Sequence, residues 1–161
     1  MGAAYYLDPR SGTSQSDDPD GSAREIFTMQ PGNSPPHNVL VVDDEALIRW
    51  SLTESLSRAG YHVQEAKDRK GTLRIIEQGR EHEGVCVVLL DIRLPDSHDL
   101  GLLRTIHQVA PECRVIVMTA YGTPELTQEA LKCGAFRVVN KPFDLDDMVG
   151  LVAEALQQPL H

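Results

Sequence analysis

The chain has 161 residues, room for one domain of ordinary size and a tail. Its 24 acidic residues outnumber 15 basic ones, so at a net charge of −9, with no Lys/Arg block as a local exception, it repels nucleic-acid phosphates and anionic lipid. No apolar run approaches the roughly 20 residues that cross a bilayer, no secretory signal is visible, and three scattered cysteines without a CxxC fit a reducing cytoplasm.

Residues 1–37 are rich in Gly, Ser, Pro and Asp, as in Ser11-Gly12-Thr13-Ser14 and Asp17-Asp18-Pro19-Asp20-Gly21. Such a composition buries too little apolar surface to offset chain entropy, which predicts a disordered N-terminal extension. Tyr5-Tyr6-Leu7 and Ile26-Phe27-Thr28-Met29 are apolar islands in it, readable as docking motifs. From Asn38 the pattern alternates. A strand over 39–42 precedes a helix over 45–59 with Ile48, Leu52, Leu56 and Ala59 on one stripe, and Gly60 caps its end. A short strand runs from Tyr61 to Ala66, and a helix over 68–79, carrying Leu73, Ile75 and Ile76, ends at Gly79. The strand over 85–90 is apolar throughout, which suits a strand covered on both faces and makes Cys86 a small buried hydrophobe. Asp99 is placed to cap a helix containing Leu102, Leu103 and Ile106 that stops at Pro111. A strand over 115–118 leads to a helix over 123–132 with Pro124 at its start and Gly134 past its end. A strand over 136–140 and a helix over 144–157 complete the series. Five such repeats predict an α/β domain over 38–158, a doubly wound five-stranded parallel sheet, with 159–161 as a C-terminal tail.

Four of the apolar runs end in polar residues that suit phosphoryl transfer. They lead into Asp43-Asp44, Asp91, Thr119 and Asn140-Lys141-Pro142. In an open parallel sheet these termini share one edge, where ligands bind. One Asp alone would read as a helix cap. Three carboxylates brought together repel one another, and a divalent cation removes the conflict. With only hard oxygen ligands on offer, and the histidines outside these strand ends, that cation is Mg²⁺ or Mn²⁺ rather than zinc. Asp91 is the candidate nucleophile, forming an aspartyl phosphate. The reaction needs charge neutralisation more than a base. Lys141 can supply an ammonium, Thr119 a hydroxyl, and the backbone at Ala120 a further donor.

With Val-Leu-Val-Val-Asp-Asp-Glu at 39–45, Leu-Leu-Asp-Ile-Arg-Leu-Pro-Asp at 89–96, Val-Met-Thr-Ala-Tyr-Gly at 117–122 and Asn-Lys-Pro-Phe-Asp at 140–144, the chain resembles a bacterial two-component response-regulator receiver domain. The segment from Val115 to Asp144 most resembles receivers of the nitrogen-regulation type. The resemblance implies a (βα)5 flavodoxin-like fold and a phosphoacceptor rather than an enzyme, catalysing only its own phosphorylation and dephosphorylation. It implies that Asp91 takes phosphate from a histidine kinase or phosphotransfer protein. Mg²⁺ would be bound by Asp44, Asp91 and the Arg93 carbonyl, with Asp43 acting largely through water. Thr119 would turn onto the phosphoryl group, Lys141 would pair with it, and Lys141-Pro142 would be cis. Output would run through an effector protein, from a cytoplasmic monomer or weak homodimer that binds neither nucleic acid nor membrane.

Two positions depart from the pattern. Receivers commonly carry Tyr or Phe three residues before the lysine, where this chain has Val138; by strand alternation Phe136 shares its face. Asp99 stands where Gly is usual, and Asp tolerates positive φ better than most residues. Tyr121 and Arg93 flank the site, and Trp50 reads first as a partly buried core aromatic and second as a kinase contact. Competing readings are a single-domain relay, the receiver fragment of a transcription activator, and a phosphorylation-independent scaffold, which Val138 favours. A haloacid-dehalogenase-type phosphatase would need a second Asp where Arg93 stands.

Overall fold

The computed structural model describes residues 36–159. The predicted disorder and apolar islands over 1–35, and the last two residues of the predicted tail, lie outside the described residues.

The elements in order are β1 (Asn38–Val42), α1 (Ala46–Arg58), β2 (His62–Ala66), α2 (Arg69–Gly79), β3 (Val87–Asp91), α3 (Gly101–Val109), β4 (Arg114–Thr119), α4 (Pro124–Lys132), β5 (Arg137–Asn140) and α5 (Leu145–Gln157). All strand pairs are parallel, and the spatial order is β2-β1-β3-β4-β5, the flavodoxin-like order. The chain begins at β1, moves outward to β2, then returns across β1 to β3. The order therefore reverses between β1 and β3, and a crevice opens beyond their carboxyl ends.

The apolar runs divide by strand parity between two cores. Leu40, Val88, Leu90, Val115 and Val117 face α2, α3 and α4, packing on Ile76, Leu102, Leu103, Ile106 and Ala130. Val39, Val41, Leu89, Ile116 and Met118 face α1 and α5, packing on Leu52, Leu56, Met148 and Val152. Each such side chain, fully buried, contributes about 1.5–3 kcal/mol. This two-sided cover is why β1, β3 and β4 read as unbroken apolar runs. β2, at the sheet edge, is exposed at His62, Gln64 and Glu65.

Several local expectations are corrected. β3 begins at Val87, so Cys86 precedes the strand and is half-buried, its Sγ 3.7 Å from the Gly84 carbonyl oxygen. Its backbone still bonds Asn38 and Arg114, but Val85 and Cys86 face opposite cores and alternation breaks before Val87. Ala59 is exposed past the end of α1. α2, by contrast, does end at Gly79 as expected, with Arg80 following in a right-handed helical conformation. Leu100, not Asp99, holds the cap position of α3; the Asp99 carboxylate accepts the Gly101 N–H at 2.7 Å. Among the described residues no non-glycine has positive φ, so Asp99 needs no unusual backbone. Gly60 and Gly134 do adopt φ of +97° and +99° just past α1 and α4, as their C-terminal capping role predicts.

Candidate functional site

Asp43 follows β1 directly and is completely buried. Its N–H continues the ladder to β2 by bonding the Ala66 carbonyl at 3.1 Å. Its carboxylate closes an Asx turn, Oδ1 accepting the Glu45 N–H at 2.9 Å, while Oδ2 accepts Lys141 Nζ at 2.6 Å. Asp91 ends β3 and is 5% exposed. Its Oδ1 accepts the Arg93 N–H at 2.9 Å, and its Oδ2 accepts Lys141 Nζ at 3.0 Å. Asp44 is exposed at the mouth. Lys141, delivered by the end of β5, also lies 3.6 Å from Glu45. The Lys141-Pro142 peptide is cis, as expected.

One carboxylate oxygen from each of Asp43, Asp44 and Asp91 lies within 4.8 Å of the others. One ammonium against three carboxylates leaves the cluster negative. A divalent cation taking hard oxygen ligands suits that donor set and charge. The titration of the cluster points the same way. Burial raises the Asp91 pKa; the Arg93 N–H and Lys141 oppose the rise, and the Asp43 charge adds to it. Burial works against the charge of Lys141, but its bonds to Asp43 and Asp91 outweigh that and raise its pKa. The lysine is thus firmly charged, while Asp91 still lacks enough positive charge to ionise as easily as a free carboxylate.

Thr119 ends β4, is buried, and accepts the Tyr121 N–H on Oγ1 at 3.1 Å, which leaves its own proton free to donate. Arg93 stacks its guanidinium 4.5 Å from the centre of the exposed Tyr121 ring, which joins the loops that follow β3 and β4. Trp50 is 60% exposed on α1, beside exposed Leu47, rather than a core residue. Phe136 precedes β5 and packs with the α1–α5 core, whereas Val138 packs with the α2–α4 core. The two therefore lie on opposite faces, and Phe136 does not stand in for an aromatic at 138.

Two site residues give no local signal in the sequence. Arg49 reaches back from α1 to donate from Nη1 to the Asp43 carbonyl at 2.8 Å. Asp96, in the loop after β3, accepts the Arg69 and Lys70 N–H groups at 2.7 and 3.2 Å, tying that loop to the start of α2. The Arg69 N–H holds the Asp96 carboxyl below its ordinary pKa.

A family model described as "Response regulator receiver domain" matches residues 39–153. The DNA-binding transcriptional regulator NtrC of Rhizobium meliloti is 37% identical over 121 residues, which is 75% of this chain and 24% of that protein. The chain thus spans about a quarter of the length of that curated relative. Sporulation initiation phosphotransferase F of Bacillus subtilis is 33% identical over 73% of this chain and 92% of its own length. The receiver domain of NtrX from Brucella abortus superimposes with a TM-score of 0.66 at 31% identity, covering 75% of this chain and 99% of its own. With the strand order, the acidic crevice and these matches in agreement, the chain belongs to the response regulator receiver domain family, whose members are phosphoacceptor signalling modules rather than true enzymes.

Proposed function

We propose that Asp91 is the phosphoacceptor. A carboxylate oxygen of Asp91 attacks the phosphorus of a phosphohistidine on a histidine kinase or phosphotransfer protein. The P–O bond forms, the P–N bond breaks, and the imidazole leaves and takes up a proton. The observation that carries this is Lys141 Nζ bridging Asp43 and Asp91 within an acidic triad at the sheet's switch point.

Asp44, Asp91 and the Arg93 carbonyl are the ligands assigned to Mg²⁺, with Asp43 acting through water. The ion supplies charge neutralisation at the transferring group when bound. Lys141 neutralises a second phosphoryl oxygen, Thr119 donates its hydroxyl to a third, and the exposed backbone at Ala120 adds a donor. Exposed Leu47, lining a groove with Ile48, Pro142 and Phe143, supports docking of the phosphoryl donor there, and exposed Trp50 lies one turn further along α1. Residues 38–158 are the receiver, working in the cytoplasm, with 1–37 and 159–161 as extensions. Phosphorylation then shifts a two-state equilibrium that an effector protein reads. A phosphorylation-independent scaffold is the second reading, favoured by Val138 in place of the aromatic.

Intact-mass analysis after incubation with Mg²⁺ and acetyl phosphate tests this. The expected result is a Mg²⁺-dependent gain of about 80 Da that Asp91→Asn abolishes. No adduct, together with no beryllofluoride binding, would sink it in favour of the scaffold.

A further inference from the structure

Asp44 is the exposed member of the acidic triad, and among the described residues nothing hydrogen-bonds its carboxylate. The Cα–Cβ bond from which that carboxylate extends is set by the backbone alone, beginning with the peptide joining Asp44 to Asp43. The carbonyl of this peptide accepts Arg49 Nη1 at 2.8 Å. Arg49 Nε lies 3.6 Å from Glu65 Oε1 on β2, and the arginine side chain is only 19% exposed. The next β2 residue, Ala66, accepts the Asp43 N–H at 3.1 Å. Both peptide groups of Asp43 are thus tied to one stretch of β2, the first directly and the second through the guanidinium. The planar guanidinium suits this task because it holds two acceptors in a fixed relation. Arg49 can reach because it lies in the first turn of α1, its own N–H bonding the Glu45 carbonyl at 3.1 Å.

We propose that Arg49 is a positioning residue for the cation site: it fixes the peptide plane between Asp43 and Asp44 and so aims the Asp44 carboxylate. The proposal rests on the assignment of Asp44 as a cation ligand. It makes a prediction opposite in sign to that of simple charge. A guanidinium acting only through space repels an incoming cation, so its removal would tighten Mg²⁺ binding. A guanidinium acting through the Asp43 carbonyl does the reverse, because outer partners that orient ligands sustain metal affinity.

The test is calorimetric titration of the full chain with Mg²⁺, alongside thermal denaturation in EDTA. Arg49→Met keeps much of the buried stem and should weaken Mg²⁺ binding about tenfold. Arg49→Lys keeps the charge but loses the fork, and should weaken binding in the same direction. A wild-type or tighter Mg²⁺ affinity in Arg49→Met overturns the proposal. If Arg49→Met does not fold in EDTA, Arg49→Lys decides, and wild-type affinity there overturns it equally. Wild-type protein that binds no Mg²⁺ would remove the cation reading itself, an outcome distinct from normal wild-type binding with unaffected variants.

Discussion

Asp91, the phosphoacceptor proposed above, would have to ionise to react, yet burial, opposed by the Arg93 N–H and Lys141, raises its pKa above the ordinary 3.8. In the window from 3.8 up to its folded value, the native state holds a proton that the unfolded chain has released. Stability attributable to this group therefore falls as pH rises through the window, and remains lower at neutral pH. Asp91→Asn should raise Tm in EDTA at neutral pH, with the gain shrinking as pH is lowered below the window. Thermal denaturation across that range checks it; a lower Tm for the variant at neutral pH would show that the pair with Lys141 outweighs burial. Lys141 is also bonded to Asp43 at 2.6 Å, so the variant removes one of its two carboxylate partners rather than stranding its charge.

Each helix starts from a loop that leaves the sheet's carboxyl edge, so the caps share these loops with the strand ends that carry the site. Asp68 accepts the Gly71 N–H, Thr123 the Leu126 N–H and Asp144 the Asp146 N–H, and each satisfies a donor the helix leaves free. Two of the opposite ends, those of α1 and α4, rely on glycine. Gly60 and Gly134 share a left-handed φ, but a Cβ at Gly60 would meet nothing within 4 Å, whereas at Gly134 it would lie 2.8 Å from His107 Nδ1. Gly60→Ala should cost roughly 1–2 kcal/mol from backbone strain alone. Gly134→Ala should cost about 1 kcal/mol more, because the exposed ring must leave its rotamer. Urea denaturation of both variants checks the ordering, and equal losses would show that His107 moves freely.

At the scale of the molecule, the sheet order brings Asp43 and Lys141 together across a sequence separation of 98 residues. A cation that bridges the ends of β1 and β3 binds the folded chain and not the unfolded one. Mg²⁺ at a hundredfold its Kd should therefore stabilise the protein by about 2.7 kcal/mol, and EDTA should remove that gain. The matching rise in Tm is on the order of 3–5 °C per kcal/mol for a folded domain of about 120 residues. A Tm indifferent to Mg²⁺ would contradict a cation site at the ends of β1 and β3.

The alternation of strand and helix, the two-sided burial of β1, β3 and β4, and the candidates Asp43, Asp44, Asp91, Thr119 and Lys141 were all legible in the sequence. They depend on run length, period and the residue at the end of each run, which are local properties. Other features depended on what packs over a residue or reaches it from elsewhere in the chain. Trp50 is a large aromatic on α1 yet faces outward, because the core stripe of that helix runs through Leu52 and Leu56. Cys86 lies in an apolar run yet precedes its strand, because alternation breaks before Val87. Phe136 and Val138 are two apart yet face opposite cores, because β5 begins only at Arg137. Arg49 and Asp96 act through backbone groups, and periodicity carries no trace of such contacts. The sequence by itself determined the elements and the chemistry at their ends. Only the tertiary structure decided which ends meet and what holds them, because strand neighbours and side-chain reach are set by packing between segments remote in the chain.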